Sequence, residues 1–310
     1  MNPPGHSRLS RHGLLLLHKK TGVTSFGSLA GVKRAFATGK AGHTGTLDKF
    51  ASGLLLVLVG RGVKLAPLFS GCVKEYTGTI RFGEETDTLD PEGEAVASGP
   101  VPSLADIEGI LPAFRGCIFQ APPAYSAVHI DGRRAHELAR EGKEPEMKKR
   151  PAMIHSLEIR SWNPPEMEIY ARVSAGTYIR SLARDIALAA GSRAYLSALK
   201  RTKVGPFSLE NSVEDDETAE SLEKALRPLD RGLFESLSLP CFFVDRGAAE
   251  NFVHGRPLET VLPQAAGSVP NQSFAAVFSK SMPGGPELLL GIIEYKNGKW
   301  GYGHVFGGAD

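Results

Sequence analysis

The chain has 310 residues, of which 42% are hydrophobic and 23% charged, a composition typical of a soluble protein with a substantial core. No apolar run approaches the roughly 18 residues that a membrane-spanning helix needs, and four consecutive leucines near the N-terminus are too few for a secretion signal. The three cysteines and nine histidines show no metal or redox spacing. We therefore expect a cytoplasmic protein without disulfides, metal or membrane contact.

The formal net charge is only +2, but the charges are unevenly distributed. The first 74 residues contain eleven lysines and arginines against a single acid, Asp48, and residues 172–203 contain seven basic residues and one acid. Acidic residues collect in segments 84–94 and 210–217. Such segregation favours a polyanionic partner such as RNA. A solvated surface whose basic residues never converge would have the same composition.

Hydrophobic periodicity predicts alternating strands and helices along the first three quarters of the chain. Strands are predicted at 14–19, 54–59, 75–82, 154–161 and 166–174, and helices at 24–36, 104–111, 133–140, 177–191 and 215–226. The segment DTLDPEGE has the chemistry of a turn and lacks the ligand spacing of a calcium loop. Because the elements do not follow a regular βαβ order, the pattern predicts an α+β fold with a mixed, mainly antiparallel sheet and flanking helices.

A domain boundary is predicted near residue 235, where two prolines follow the acidic helix. Beyond it, the stretches FFVD, FAAVFS, LLLGIIEY and WGYGHVF predict short strands. The sequence thus indicates a larger domain over residues 1–235 and a small β-rich domain over residues 241–310.

Asp48 lies between the glycine-containing loop GHTGT and the apolar strand LLLVLV. An isolated aspartate in a turn usually caps a helix or binds its own backbone. Here the glycines allow close approach of a substrate, the strand would hold the loop rigidly, and the basic surroundings would keep the carboxylate ionised. These three features favour a catalytic acid that works on RNA.

Six segments resemble the TruB-type pseudouridine synthases, and they occur in the order typical of that family. They are LLLLHKKTGVTS, GHTGTLDKFASGLLLVLVG, KEYTGTIRFGEETDTLD, FRGCIFQAPPAYSAVHIDGRRAHELAREG, GTYIRSLARDIA and LKRTKVGPF, which together span roughly residues 12–210. The C-terminal segment resembles, more weakly, the family's small PUA-type RNA-binding domain. Two positions depart from the family pattern: Lys20, where proline is usual, and Lys49-Phe50, where Pro-Leu is common.

The resemblance implies conversion of uridine 55 in the T-loop of tRNA to pseudouridine, without a cofactor. It implies that Asp48 is the catalytic carboxylate, that Arg180 orients it, and that Tyr76 stacks on the flipped uracil. Tyr178 matches a second active-site aromatic residue, and His43 matches the residue that fills the space left by the flipped nucleotide. Without the resemblance, each tyrosine would be read as a packing residue and His43 as a loop residue that binds backbone.

The remaining expectations concern partners. Lys19, Lys20, Lys64 and Arg133 are candidate contacts to the RNA backbone, although each could equally be a solvated surface residue. The resemblance implies that the T-arm of tRNA is the substrate, with no guide RNA or obligate protein partner.

Two other classes of function fit the basic cleft. One is a non-catalytic protein that binds or folds tRNA, which the presence of Asp48, Tyr76 and Arg180 speaks against. The other is a glycoside hydrolase-like enzyme, which would need a second carboxylate about 5–9.5 Å from the first. No second acid has a comparable motif context in the sequence.

Overall fold

The computed structural model describes residues 12–126, 128–130, 132–143, 147–263, 273–280 and 287–307. In these ranges, every helix is too short or too polar to cross a membrane.

The strands, in chain order, are β1 (Gly13–Lys19), β2 (Ala41–His43), β3 (Ser52–Val59), β4 (Lys74–Phe82), β5 (Glu84–Thr86), β6 (Ala95–Ser98), β7 (Gly116–Gln120), β8 (His129–Ile130), β9 (Arg133–Arg134), β10 (Arg150–Asn163), β11 (Glu166–Val173), β12 (Ala194–Val204), β13 (Phe207–Ser208), β14 (Val213–Glu214), β15 (Cys241–Val244), β16 (Phe274–Ser279), β17 (Leu288–Lys296) and β18 (Lys299–Val305). The α-helices are α1 (Leu29–Ala35), α2 (Ala66–Ser70), α3 (Leu104–Ile110), α4 (Ala135–Arg140), α5 (Ile179–Ala189), α6 (Ala219–Ala225), α7 (Arg231–Ser236), α8 (Arg246–Val253) and α9 (Leu258–Val261). Short 3₁₀ helices occupy Gly60–Leu65, Leu111–Phe114 and Leu209–Asn211.

A ten-stranded sheet forms the larger part of the fold, with the strand order β14-β1-β3-β12-β4-β11-β10-β7, β2 beside β3 and β13 beside β12. Among the described strands of this sheet, the β1–β14 and β3–β12 pairs are parallel and the others are antiparallel. The mixed, mainly antiparallel α+β architecture predicted from the sequence is therefore confirmed. Helix α5 buries Leu182 and Ile186 against one face of this sheet, in the cluster that also contains Tyr76 and Leu47. That cluster lies directly beneath the segment that carries Asp48.

The C-terminal residues form a second sheet of four strands, in the order β15-β16-β17-β18. Its Phe278 and Phe306 belong to the same buried cluster as Leu14 and Leu54 of the large sheet. Apolar side chains in such a cluster are removed from water together, at about 25 cal/mol per Å² of buried apolar area. The four-stranded sheet is therefore packed onto the large sheet through a common hydrophobic core, and its removal would expose that core.

Two local differences from the predicted elements have physical causes. The helix expected at 24–36 begins only at Leu29, because the Ser25 hydroxyl both donates to the Leu47 carbonyl and accepts from the Leu47 amide, each at 2.8 Å. This tertiary contact holds Ser25 outside the helix. The central strand β12 was not predicted at all, because its basic residues and a register irregularity between Arg201 and Lys203 obscure the alternation.

Candidate active site

Asp48 lies in the loop between β2 and β3, and this loop is held by its neighbours rather than by secondary structure. Leu47 and Phe50, on either side of Asp48, are buried in the core. The Gly22 amide donates to the Lys49 carbonyl at 2.8 Å. The Asp48 side chain itself is 38% exposed. A carboxylate anchored on both sides and open to solvent is placed to meet a substrate.

Arg180, in the first turn of α5, lies against this carboxylate. Its side chain is only 5% exposed, its Nη2 donates to Asp48 Oδ1 at 3.1 Å, and its Nε lies 3.0 Å from Asp48 Oδ2. The Nε–H is not aimed at that oxygen, so the second contact is an ion pair and not a hydrogen bond. The structure thus brings together Asp48 and Arg180, which are 132 residues apart in sequence.

A second carboxylate, from Asp90, lies on the other side of Arg180 and was not predicted. Asp90 Oδ2 is 3.1 Å from Arg180 Nη1, and Asp90 is 5% exposed. Its Oδ1 accepts from the Thr88 hydroxyl at 2.6 Å and from the Glu92 amide at 3.0 Å. The segment DTLDPEGE was read only as a turn. The one available signal was the occurrence of two aspartates in a turn of a family motif, which did not indicate a buried ion pair.

Arg180 also makes two hydrogen bonds to backbone oxygens. Nη1 donates to the Thr88 carbonyl at 2.7 Å, and Nη2 donates to the Tyr125 carbonyl at 3.1 Å. Arg180 therefore connects α5 to three other segments, including the Asp48 loop. An arginine fixed by several partners orients a carboxylate more narrowly than a flexible surface arginine would.

The electrostatics of Asp48 differ from the sequence-based expectation. Burial raises the pKa of the Asp48 carboxyl above its usual value, and Asp90 and Glu92 add to that increase, while Arg180 opposes it. The basic composition of the segment suggested the opposite direction. The difference arises because the burial of Asp48, which charge counts along the sequence do not show, outweighs the guanidinium of Arg180, and because two other acids lie nearby.

The two predicted aromatic residues lie in different settings. Tyr76 is on β4, is 7% exposed and belongs to the cluster that contains Leu47 and Phe50. Tyr178 immediately precedes α5, is half-buried, and its backbone amide donates to Gln120 Oε1 at 2.8 Å. Tyr178 and Gln120 line a cavity of about 360 Å³. Tyr76 thus packs with the residues that flank Asp48, and Tyr178 lies next to the helix that carries Arg180.

His43 ends β2 and is half-buried, five residues before Asp48. Its Nδ1 is buried and, among the described residues, has no hydrogen-bond partner. Burial and then the nearby Arg201 lower the pKa of His43, which favours a neutral imidazole. A neutral ring at this position could replace a flipped base without adding charge.

The four candidate RNA-backbone contacts separate into one interior and three surface residues. Lys19 is fully buried, and its Nζ donates to the carbonyl oxygens of Val23 (2.7 Å), Lys20 (3.0 Å) and Lys49 (3.4 Å). The expectation of a surface contact is therefore wrong for Lys19, because three backbone carbonyls draw its ammonium group under the Asp48 loop.

The other three candidates are exposed. Lys20 forms an ion pair with Asp216 at 2.7 Å, and Arg133 forms an ion pair with Glu141. Lys64 lines a groove of about 590 Å³ together with Lys40, Arg61 and residues 305–307 at the end of β18. Lys49, one of the departures from the family pattern, pairs with Glu92 at 3.2 Å beside the site.

Comparison with known proteins identifies the class. A family model described as TruB family pseudouridylate synthase (N terminal domain) matches residues 33–179, and one described as tRNA pseudouridylate synthase B C-terminal domain matches residues 180–234. In the solved structure of a Cbf5-Nop10-Gar1 complex, one chain has a TM-score of 0.66 at 24% identity and covers 92% of this chain and 78% of its own length. The family models thus give the class, pseudouridylate synthases, and the solved structure shows a shared fold.

Two curated relatives narrow the assignment. A tRNA pseudouridine synthase B of Borreliella burgdorferi is 46% identical over 217 residues, which cover 69% of this chain and 76% of that protein. A tRNA pseudouridine synthase B of Novosphingobium aromaticivorans is 41% identical over 267 residues, covering 81% of this chain and 86% of that protein. The chain belongs to the TruB family of pseudouridylate synthases.

Proposed function

We propose that this protein converts uridine 55 in the T-loop of tRNA to pseudouridine, and that it does so without a cofactor, guide RNA or protein partner. The observation that carries the proposal is the half-exposed Asp48 carboxylate held by the buried Arg180. Family membership and relatives named as tRNA pseudouridine synthase B support tRNA as the substrate.

The reaction breaks the bond between C1′ and N1, rotates the uracil and forms a bond between C1′ and C5. A proton leaves C5 and N1 gains one, so the product has the same composition as the substrate. Asp48 acts at C1′, either as nucleophile or as counter-charge to a glycosyl cation, and both routes require the ionised carboxylate. Arg180 orients that carboxylate, and Tyr76 stacks on the flipped base. Tyr178 and His43 complete the pocket.

The second carboxylate does not make the site a hydrolase. In inverting glycosidases a second carboxyl group activates water, and in retaining ones it forms or assists a covalent intermediate. Both oxygens of Asp90 are occupied by Arg180, Thr88 and the Glu92 amide, and the residue is buried. Asp90 therefore supports Arg180 and is closed to substrate.

Nucleoside analysis of an unmodified tRNA transcript incubated with the pure protein tests the proposal. We expect one pseudouridine per tRNA at position 55, formed equally in the presence of a metal chelator. A transcript with cytidine at position 55 serves as control and should gain none. Free uracil would indicate hydrolysis, and an unchanged transcript would indicate a binding protein; either result would contradict the proposal.

Binding is expected to weaken with salt, because lysines and arginines release counterions from the phosphates they neutralise. The logarithm of the affinity should fall with the logarithm of salt concentration by about 0.7–0.9 per phosphate contact. Lys64→Gln should reduce this slope by about one contact. Lys20→Gln should reduce it less, because Asp216 already compensates Lys20. Filter binding at several salt concentrations measures both, and a salt-independent affinity would contradict the electrostatic basis.

A further inference from the structure

Arg201, in β12, is a buried cation beneath the loop that carries Asp48. It is only 2% exposed. Its Nε donates to the Leu54 carbonyl at 2.8 Å, its Nη2 donates to the Gly45 carbonyl at 3.0 Å, and its Nη1 donates to the Thr46 carbonyl at 3.4 Å. Two of these oxygens precede Asp48 in the chain and the third follows it. One guanidinium therefore joins the part of the loop before Asp48 to strand β3, which follows the loop.

The path of β12 explains how the side chain reaches this position. Arg201 lies opposite Gly53 in the parallel β3–β12 pair and opposite Tyr76 in the antiparallel β4–β12 pair. Gly53 has a φ of +110°, and a Cβ at this residue would lie 2.3 Å from the Arg201 carbonyl oxygen. Only glycine allows the two backbones to approach so closely. The close approach places the guanidinium under the loop.

The burial of the Arg201 guanidinium has a free-energy cost that needs an explanation. Burying an unpaired ion costs several kcal/mol unless hydrogen bonds compensate it. The three hydrogen bonds of Arg201 go to carbonyl oxygens, which compensate the charge. The same hydrogen bonds fix the backbone that presents these oxygens. The planar fork of a guanidinium presents donors on three nitrogens in fixed directions, whereas the donors of a lysine all lie on one nitrogen.

A second buried cation holds the same loop from another side, since the Lys19 ammonium donates to the Lys49 carbonyl. The positive charge of Arg201 also affects the pKa of a neighbouring lysine. Burial and then Arg201 lower the pKa of Lys74 to about 8. The loop thus rests on positively charged groups, although its own exposed functional group is a carboxylate.

We propose that Arg201 is a positioning residue for Asp48: by fixing the carbonyls of Gly45, Thr46 and Leu54, it holds the carboxylate at its distance from Arg180. The inference rests on the proposed function and adds a residue to which no role has been assigned. Arg201 contacts neither substrate nor reacting atoms and acts through the loop.

The test compares Arg201→Lys and Arg201→Gln with matched changes at Arg115. Arg115 also donates to a backbone carbonyl, that of Leu157, through Nε and Nη2, but it does not touch the Asp48 loop. Single-turnover rates of pseudouridine formation, RNA dissociation constants and thermal unfolding midpoints are measured for all variants. A positioning defect lowers the rate while RNA affinity is kept, whereas a general loss of structure lowers both.

Arg201→Lys is expected to lower the single-turnover rate about 10²-fold, the effect of a displacement of about 1 Å at the reacting group. Arg201→Gln should lower it further, while RNA affinity stays within about threefold because no RNA contact is removed. Both Arg115 variants should react at the wild-type rate.

Near-wild-type rates in both Arg201 variants would overturn the inference. So would failure of both to fold at the assay temperature, since Arg201 would then be a requirement of the fold. An active wild-type protein with active Arg201 variants refutes only this inference. A wild-type protein that forms no pseudouridine refutes the proposed function and the inference together.

Discussion

Replacing Asp48 with asparagine is expected to abolish pseudouridine formation while the protein still folds and binds tRNA. Asparagine keeps the shape of the side chain but removes the charge that both possible routes require at C1′. Arg180 should stay in place in the variant, because Asp90 and the Thr88 and Tyr125 carbonyls still hold it. Loss of one negative charge from a basic surface should leave RNA affinity unchanged or slightly higher.

The same variant has an expected effect on stability. Because the pKa of Asp48 is raised in the fold, the native state binds the proton more tightly than the unfolded chain does. The stability contributed by this group is therefore present at low pH and is lost as the pH rises through the folded pKa. Above the folded pKa this contribution is gone, so at such a pH Asp48→Asn should show an equal or higher unfolding midpoint than the wild type.

Tritium release from tRNA labelled at C5 of uridine measures the reaction directly, since C5 loses its hydrogen when it bonds to C1′. Asp48→Asn should release none above background. Asp185→Asn is a suitable control, because Asp185 lies on α5 but pairs with Arg184 outside the site. If Asp48→Asn releases tritium near the wild-type rate, the proposed active site is wrong.

Replacing Arg180 with alanine is expected to reduce activity as severely, but with a loss of stability that the sequence did not indicate. The guanidinium is buried between Asp48 and Asp90. Its removal leaves Asp90 as a buried carboxylate without a counter-charge, a change that costs about 3–5 kcal/mol. We therefore expect the side chain to have two separable functions, to orient Asp48 and to neutralise Asp90.

A double variant separates the two functions. Arg180→Ala combined with Asp90→Asn should recover much of the lost stability, because the uncompensated charge is gone, yet it should remain inactive. Chemical denaturation and tritium release measure the two properties. Arg184→Ala, one turn along α5, should remain active and serves as control. Recovery of activity in the double variant would show that Arg180 matters only through the charge of Asp90, and would contradict its orienting role.

The local features of the chain could be read without the structure. Apolar runs and alternation predicted β1, β3 and β4, and a continuous helical pattern with a glycine stop predicted α5. Asp48 stood out as the single acid in a basic segment, and the order of the family motifs paired it with Arg180. The elements depend on residues that are close in sequence, where periodicity and turn chemistry act directly, whereas the pairing of Asp48 with Arg180 came from the family resemblance.

The tertiary structure decided the rest. The contact between Arg180 and Asp90 joins residues 90 apart in sequence, and the contact between Arg201 and Leu54 joins residues 147 apart. Whether a lysine such as Lys19 is a surface cation or a buried donor depends on which carbonyls surround it once the strands have paired. Strand order brings β12 between β3 and β4, and it is this order that places Arg201 under the Asp48 loop. Charge counts along a sequence carry no information about such neighbours, because burial and ion pairing are set by packing across the sheet.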